Sequence, residues 1–297
     1  MDDQPSPAPE PQFLDPHDMI ERSQPAPRTG WLWYLTACFF LLVLLSTLAG
    51  AHSTEMQAGV RFLGGLTMIG LMIGMSVFTW VIAGRQRNEQ RSLDAIEELV
   101  QLRRWPEAGM MLQNLLSKPT RSAMARVQGL IYLTTALARY HRFGDAIVVQ
   151  EHLLDNVDLD PGTGYALRLG RAMAMLQEDH LTDADRALSE LRRVEGSEGS
   201  AGLALIEIYR DVKTGHPAEA IEIFTARESI LRRQMGHRVA DAWALVAKAY
   251  DMVGQEDLAR RAYRNATLLA PIAEISRKYA EVASLTGKYP AAVAPGE

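Results

Sequence analysis

The chain is nearly free of cysteine: Cys38 is the single one in 297 residues. One thiol excludes an intrachain disulfide framework and a thiolate metal cluster, and inside an apolar run it acts as a small hydrophobe. A basic surplus is also missing. Lys and Arg number 31 against 36 Asp and Glu, a formal net charge of −5, whereas a nucleic-acid partner requires a concentrated positive surface. No nucleic-acid partner is therefore expected. The chain lacks HExxH, GxSxG, GxxxxGK[ST] and paired-aspartate calcium-loop patterns. Asp155, Asp158 and Asp160 cluster before Pro161-Gly162 without the downstream ligands of a metal loop. They read as an acidic turn between helices, and His141 and His152 read as rim groups. No catalytic residue, no cofactor and no metal ligand is assigned, and the chain is not read as an enzyme. Strand-like alternation of useful length is absent too, which leaves helices as the building material.

What is present changes along the chain. Residues 1–30 carry Pro5, Pro7, Pro9, Pro11, Pro16, Pro25 and Pro27 among six acids, with Arg22 and Arg28 as the only basic residues. Such a composition buries too little apolar surface to offset its ordering entropy, so a disordered tail is expected. Two charge-free runs follow, 31–51 and 62–84. Each is about 20 residues or more, the length that crosses a hydrocarbon core as a helix, and Trp31, Trp33, Tyr34 and Trp80 lie near run ends. The two runs are expected to be transmembrane helices in the lipid bilayer, joined by a short extracytoplasmic loop at 52–61. A cleaved leader is the weaker reading of the first run, because it exceeds an h-region of about 7–15 residues. Gly70 and Gly74 form a GxxxG match on the second run. They are expected to pack helices closely, against the first run or in a homodimer through the second. Arg22 and Arg28 before the runs, and Arg85, Arg87 and Arg91 after them, predict both termini on the cytoplasmic side of a membrane, taken to be a bacterial inner membrane.

From about residue 89 to 286 the pattern is helical and repetitive. A turn, an acidic or polar residue and then an alanine recur, the alanines being Ala108, Ala146, Ala184, Ala220 and Ala259, separated by 38, 38, 36 and 39 residues. A near-constant spacing of this kind predicts stacked helical hairpins. The alanine opens each second helix at a tight contact with the first, and neighbouring hairpins complete a core that none forms alone. The predicted class is all-α: two transmembrane helices, then an α-solenoid of about five hairpins. A capping helix is expected over 272–285, with Glu274, Arg277, Lys278 and Glu281 on its outer face, then a flexible tail at 287–297.

The last unit, ADAWALVAKAYDMVGQEDLARRAYRNATLLAP, resembles a tetratricopeptide repeat along its length. Trp243, Ala247 and Tyr250 match the first-helix positions, Gly254 the turn, Ala259, Tyr263 and Ala266 the second helix, and Pro271 the close. Gly215, Ala220 and Phe224 extend the likeness to the fourth unit, where Ile208 replaces the small residue. The earlier units keep the alanine and the apolar spacing only. The resemblance implies a concave face lined by the first helix of each hairpin. Its groove positions fall on Tyr132, Thr135, Arg139, Met173, Gln177, Tyr209, Lys213 and Lys248, and Lys248 is expected on an open surface. The implied function is a scaffold that recruits a protein partner through this groove at the cytoplasmic face of a membrane. The alternative is an accessory subunit of a transport or secretion assembly, with the hairpin packed among other membrane helices.

Overall fold

The structure is a computed structural model, and it describes residues 15–25, 36, 39, 70, 74, 76, 80, 84, 87–194 and 196–289. Among these residues every regular element is a helix. The chain divides into two compact units, Met1–His141 and Arg142–Glu297.

In the first unit, α1 (Pro16–Arg22) is followed by α2 (87–101), α3 (Trp105–Leu116) and α4 (Ala123–Arg139). The α1 helix lies within the segment expected to be disordered. Asp15 accepts a hydrogen bond from the His17 N–H and caps the helix, and Pro16 sits in its first turn, where a missing N–H costs nothing. An argument from average composition passes over such a local start signal. The helix is also anchored. Met19 and Ser23 are buried, Thr120 donates to the Ser23 carbonyl at 2.9 Å, and Arg126 donates to the Ile20 carbonyl at 3.1 Å. Ile96, Leu112 and Ala136 share a core between α2, α3 and α4.

No helix among the described residues is long and apolar enough to cross a membrane, and this corrects the expectation of two transmembrane helices. Most of 31–51 and 62–84 lies outside the described residues, as does the loop at 52–61. A charge-free run measures only how much apolar surface a segment offers. A span needs an unbroken helix as well, and none is described. At Gly70 and Gly74 an added Cβ meets nothing within 4 Å, so the close helix contact expected there is not found among the described residues.

The second unit holds α5 (Phe143–Asn156), α6 (Pro161–Gln177), α7 (Leu181–Arg192), α8 (Ala201–Thr214), α9 (Pro217–Met235), α10 (Val239–Met252) and α11 (Glu256–Leu269). It closes with α12 (Ile272–Lys278), a 3-10 turn at Ala280–Val282 and α13 (Ala283–Thr286). Successive helices pack as neighbours, α6 on α7, α8 on α9 and α10 on α11, while α6 touches α8 and α8 touches α10. The first helices therefore form one layer. Asp160 and Ser200 cap α6 and α8 by accepting from Thr163 and Leu203 backbone N–H groups, as Ser122 caps α4.

The turns between first and second helices repeat one geometry. Arg103, His141, Asp179, Gly215 and Gly254 all have a left-handed backbone, with φ of 58°, 58°, 61°, 80° and 77°. Each stands five positions before a repeat alanine. The following N–H closes a long bond back into the helix, from Arg104 to Leu99 at 2.8 Å, His180 to Met175 at 2.9 Å, His216 to Asp211 at 2.8 Å and Gln255 to Tyr250 at 2.9 Å. This is the Schellman stop, which satisfies orphan carbonyls and reverses the chain. All five alanines beyond the turns are fully buried. The Asp155–Asp160 cluster serves as the cap of α6 through Asp160.

The end of the chain differs from the single capping helix expected over 272–285. The helix stops at Lys278, because Tyr279 is extended (φ −127°, ψ 98°), and the rest continues as a 3-10 turn and one helical turn. Lys278 and Glu281 turn toward the first-helix layer rather than to an outer face. Tyr279, Val282, Leu285 and Tyr289 are buried, so packing continues past residue 287, where the flexible tail was expected to begin. Residues 290–297 lie outside the described residues.

Candidate functional site

The layer formed by α6, α8 and α10 is where the groove positions of the second unit meet. Four of them converge on one object, the segment 278–289. Gln177 on α6 donates to the Lys278 carbonyl at 2.9 Å. Tyr209 on α8 is fully buried and packs edge-on against Tyr279, with ring centroids 5.0 Å apart. Lys213, one turn on, donates to the Leu176 carbonyl at 2.6 Å and lies 2.7 Å from the Asp179 carboxylate and 3.8 Å from that of Glu281. Lys248 on α10 donates to the Ser284 hydroxyl at 3.0 Å. Lys248 was expected on an open surface, but the segment lies over it. Met173 is half-buried against the core of the second unit.

Tyr132, Thr135 and Arg139 lie on α4, in the first unit. Tyr132 packs beside the Ile96, Leu112 and Ala136 core, and burial pushes its phenol pKa up. Thr135 returns a hydrogen bond to the Ile131 carbonyl at 3.2 Å. Arg139 is half-buried in the last turn of the helix.

Sequence reasoning missed the acidic half of the site. Asp241 and Asp251 stand ten positions apart on α10, and each receives a Lys-Tyr dipeptide. At Asp241 one carboxylate oxygen takes the Lys278 ammonium and, at 3.4 Å, the Tyr279 hydroxyl. At Asp251 one oxygen accepts from Lys288 at 2.7 Å and from Tyr289 at 2.9 Å. Each lysine also lies over the ring of its own tyrosine, 4.9 Å from the Tyr279 centroid and 5.4 Å from that of Tyr289. The legible signal was the pair of Lys-Tyr dipeptides at the same ten-residue spacing as the two aspartates.

The electrostatics follow from this packing. Burial pushes the Asp251 carboxyl up, but hydrogen bonds from Lys288 and Tyr289 and the charges of Lys288 and Lys248 outweigh it, so it sits below the usual carboxylate value. Burial raises the phenols of Tyr209 and Tyr279, and neighbouring carboxylates at Glu281 and Asp241 add to the shift. Both phenols stay protonated and serve as hydrogen-bond donors or packing groups. A second charged cluster joins α7, α8 and α9: buried Glu207 meets Arg192 at 2.6 Å and Arg227 at 3.6 Å. On the opposite side of α10, an open pocket lined by Arg232, Trp243, Leu268 and Leu269 carries the Arg232 guanidinium 5.2 Å from the Trp243 ring centroid. Among the described residues no group of three His, Cys, Asp or Glu side chains is placed to hold a metal ion. The arrangement on α6, α8 and α10 is one that grips a polypeptide segment, with alternating charged contacts around buried aromatic and aliphatic anchors. Comparison with known proteins finds no matching family, curated protein or solved structure.

Proposed function

We propose that this chain is a tetratricopeptide-like helical-hairpin protein that works by docking segments of other proteins on the face made by α6, α8 and α10. It is a scaffold or adaptor in this reading and performs no chemistry of its own. The observation that carries the proposal is the occupied face itself. Gln177, Tyr209, Lys213 and Lys248, the positions the repeat pattern marks for ligand contact, all touch one non-repeat segment through side chains. The regular left-handed turns and buried alanines supply a rigid support for such a face. The alternative of a subunit packed among membrane helices has no described helix to rest on.

A photo-crosslinking residue at exposed Asp179, on the rim beside Lys213, tests the reading in cells. A control probe belongs at exposed Asp257 on α11. The expected result is intermolecular crosslinks from position 179 that map to a short linear stretch of the captured protein, with none of them from 257. The same products from both positions, or none from 179, would overturn the docking function.

A further inference from the structure

We infer that the α6–α8–α10 face is specific for a protein segment bearing Lys-Tyr dipeptides, and that residues 278–289 are its occupant in cis, which a partner segment of the same chemistry displaces. The inference deepens the docking function above and rests on it.

The first argument is repetition. Two Lys-Tyr dipeptides ten residues apart meet two aspartates ten residues apart, in the same order along the chain. In both, the ammonium and the phenol hydroxyl converge on a single carboxylate oxygen. Between the two sockets the charges reverse once, with Glu281 facing Lys213, while the Ser284 hydroxyl accepts from Lys248. Sockets alternating acid, base and acid select one register of an incoming segment, since a shift sets like charges together.

The second argument concerns how the segment is held. Its two pieces have three and four residues and the helix leading into it has seven, all too short to persist as helices in water. Its order therefore comes from the face. A cap that only closed the last hairpin would need α10 and α11, yet this segment reaches back to Gln177 on α6 and Lys213 on α8. Tyr279, Val282, Leu285 and Tyr289 supply buried anchors, while the Lys278 and Lys288 side chains keep 37% and 44% of their exposure. A short segment tied down by partly solvated ion pairs opens ahead of the helices beneath it. The partner pattern can be read from the occupant: Lys-Tyr, an acid two residues on, apolar residues three and six after the tyrosine, then a second Lys-Tyr.

A fluorescent peptide with the sequence of residues 272–289, titrated against the full chain, is the test. Lys278→Ala with Lys288→Ala loosens the cis occupant without removing a buried anchor. The peptide is expected to bind this double variant at least tenfold more tightly than the parent. Adding Asp251→Asn to the double variant should abolish the gain. Equal binding to parent and double variant would overturn the inference. So would a parent that runs as a dimer and falls to a monomer in the double variant, because copies would then exchange the segment. If the double variant fails to fold, hydrogen exchange on the parent decides. Amides of 278–289 must exchange ahead of those in α10, and exchange only together with α10 overturns the inference. Crosslinks from position 179 read the face whatever segment fills it, so they separate failure of this specificity from failure of the docking function.

Discussion

At the residue scale, the turns show how a repeat tolerates the wrong amino acid. Left-handed backbone suits glycine and strains other L residues by about 1 kcal/mol. Gly215 and Gly254 meet that demand, whereas Arg103, His141 and Asp179 adopt the same conformation under strain. Reading turns by their glycines finds only the last two. The alanine five positions on marks all five, because burial at a close helix contact tolerates no larger side chain. Gly254→Ala is expected to cost about 1 kcal/mol, since its Cβ meets nothing and only φ is strained. Arg103→Gly is expected to raise stability by no more than about 0.5 kcal/mol, most of the relief being offset by chain entropy. Thermal melts of both variants check the pair of signs. Asp211 offers a second test. It is buried on α8, one of its carboxylate oxygens lacks a hydrogen-bond partner, and burial raises its pKa against the pull of Arg210. A raised acid in the folded state loses stability as pH climbs above the ordinary value of 3.8. Asp211→Asn should therefore melt higher than the parent at neutral pH, with the difference shrinking as pH falls toward that value.

At the element scale, helix starts and stops were written locally, in the Asp160 and Ser200 caps and in the alanine that opens each second helix. Replacing fully buried Ala259 with Leu forces extra volume between α10 and α11 and is expected to cost about 1–3 kcal/mol. Hydrogen exchange should place the damage at the C-terminal end of the second unit, because hairpins transmit stability to their neighbours. One element that sequence reasoning misjudged is the terminal one. An amphipathic pattern over 272–285 reads as one helix with a polar outer face. Which side of it is outer depends on what lies beneath, and here Asp241, Lys213 and Lys248 wait there for Lys278, Glu281 and Ser284. Such pairings join residues 36 or more positions apart, and no local period encodes them. The groove positions could be named one by one from the repeat spacing, and four of them touch the segment 278–289. Their occupant could not. The same limit applies to the apolar runs at 31–51 and 62–84: composition stated what they offer to bury, and no described helix uses it to cross a membrane.

At the scale of the whole molecule, the second unit pairs a regular helical support with an irregular segment laid across it. The support has a buried core that starts at Ile147 on α5, and the segment adds Tyr279, Val282, Leu285 and Tyr289 to that core. In the docking function proposed above, stability and docking share residues, and the cis contacts set how readily the face becomes free. Loss of those contacts through Lys278→Ala and Lys288→Ala is expected to lower the melting temperature only slightly. Each removes an ion pair whose lysine end is solvated, while the aromatic anchors remain. The most direct test of the docking face is hydrogen exchange on the full chain with an excess of unlabelled peptide of sequence 272–289. The predicted result is faster deuterium uptake in the chain's own residues 278–289 as the peptide takes their place, with α8 and α10 still protected. Uptake in 278–289 that does not change at any peptide excess would contradict a displaceable occupant and leave the segment as a fixed part of the fold.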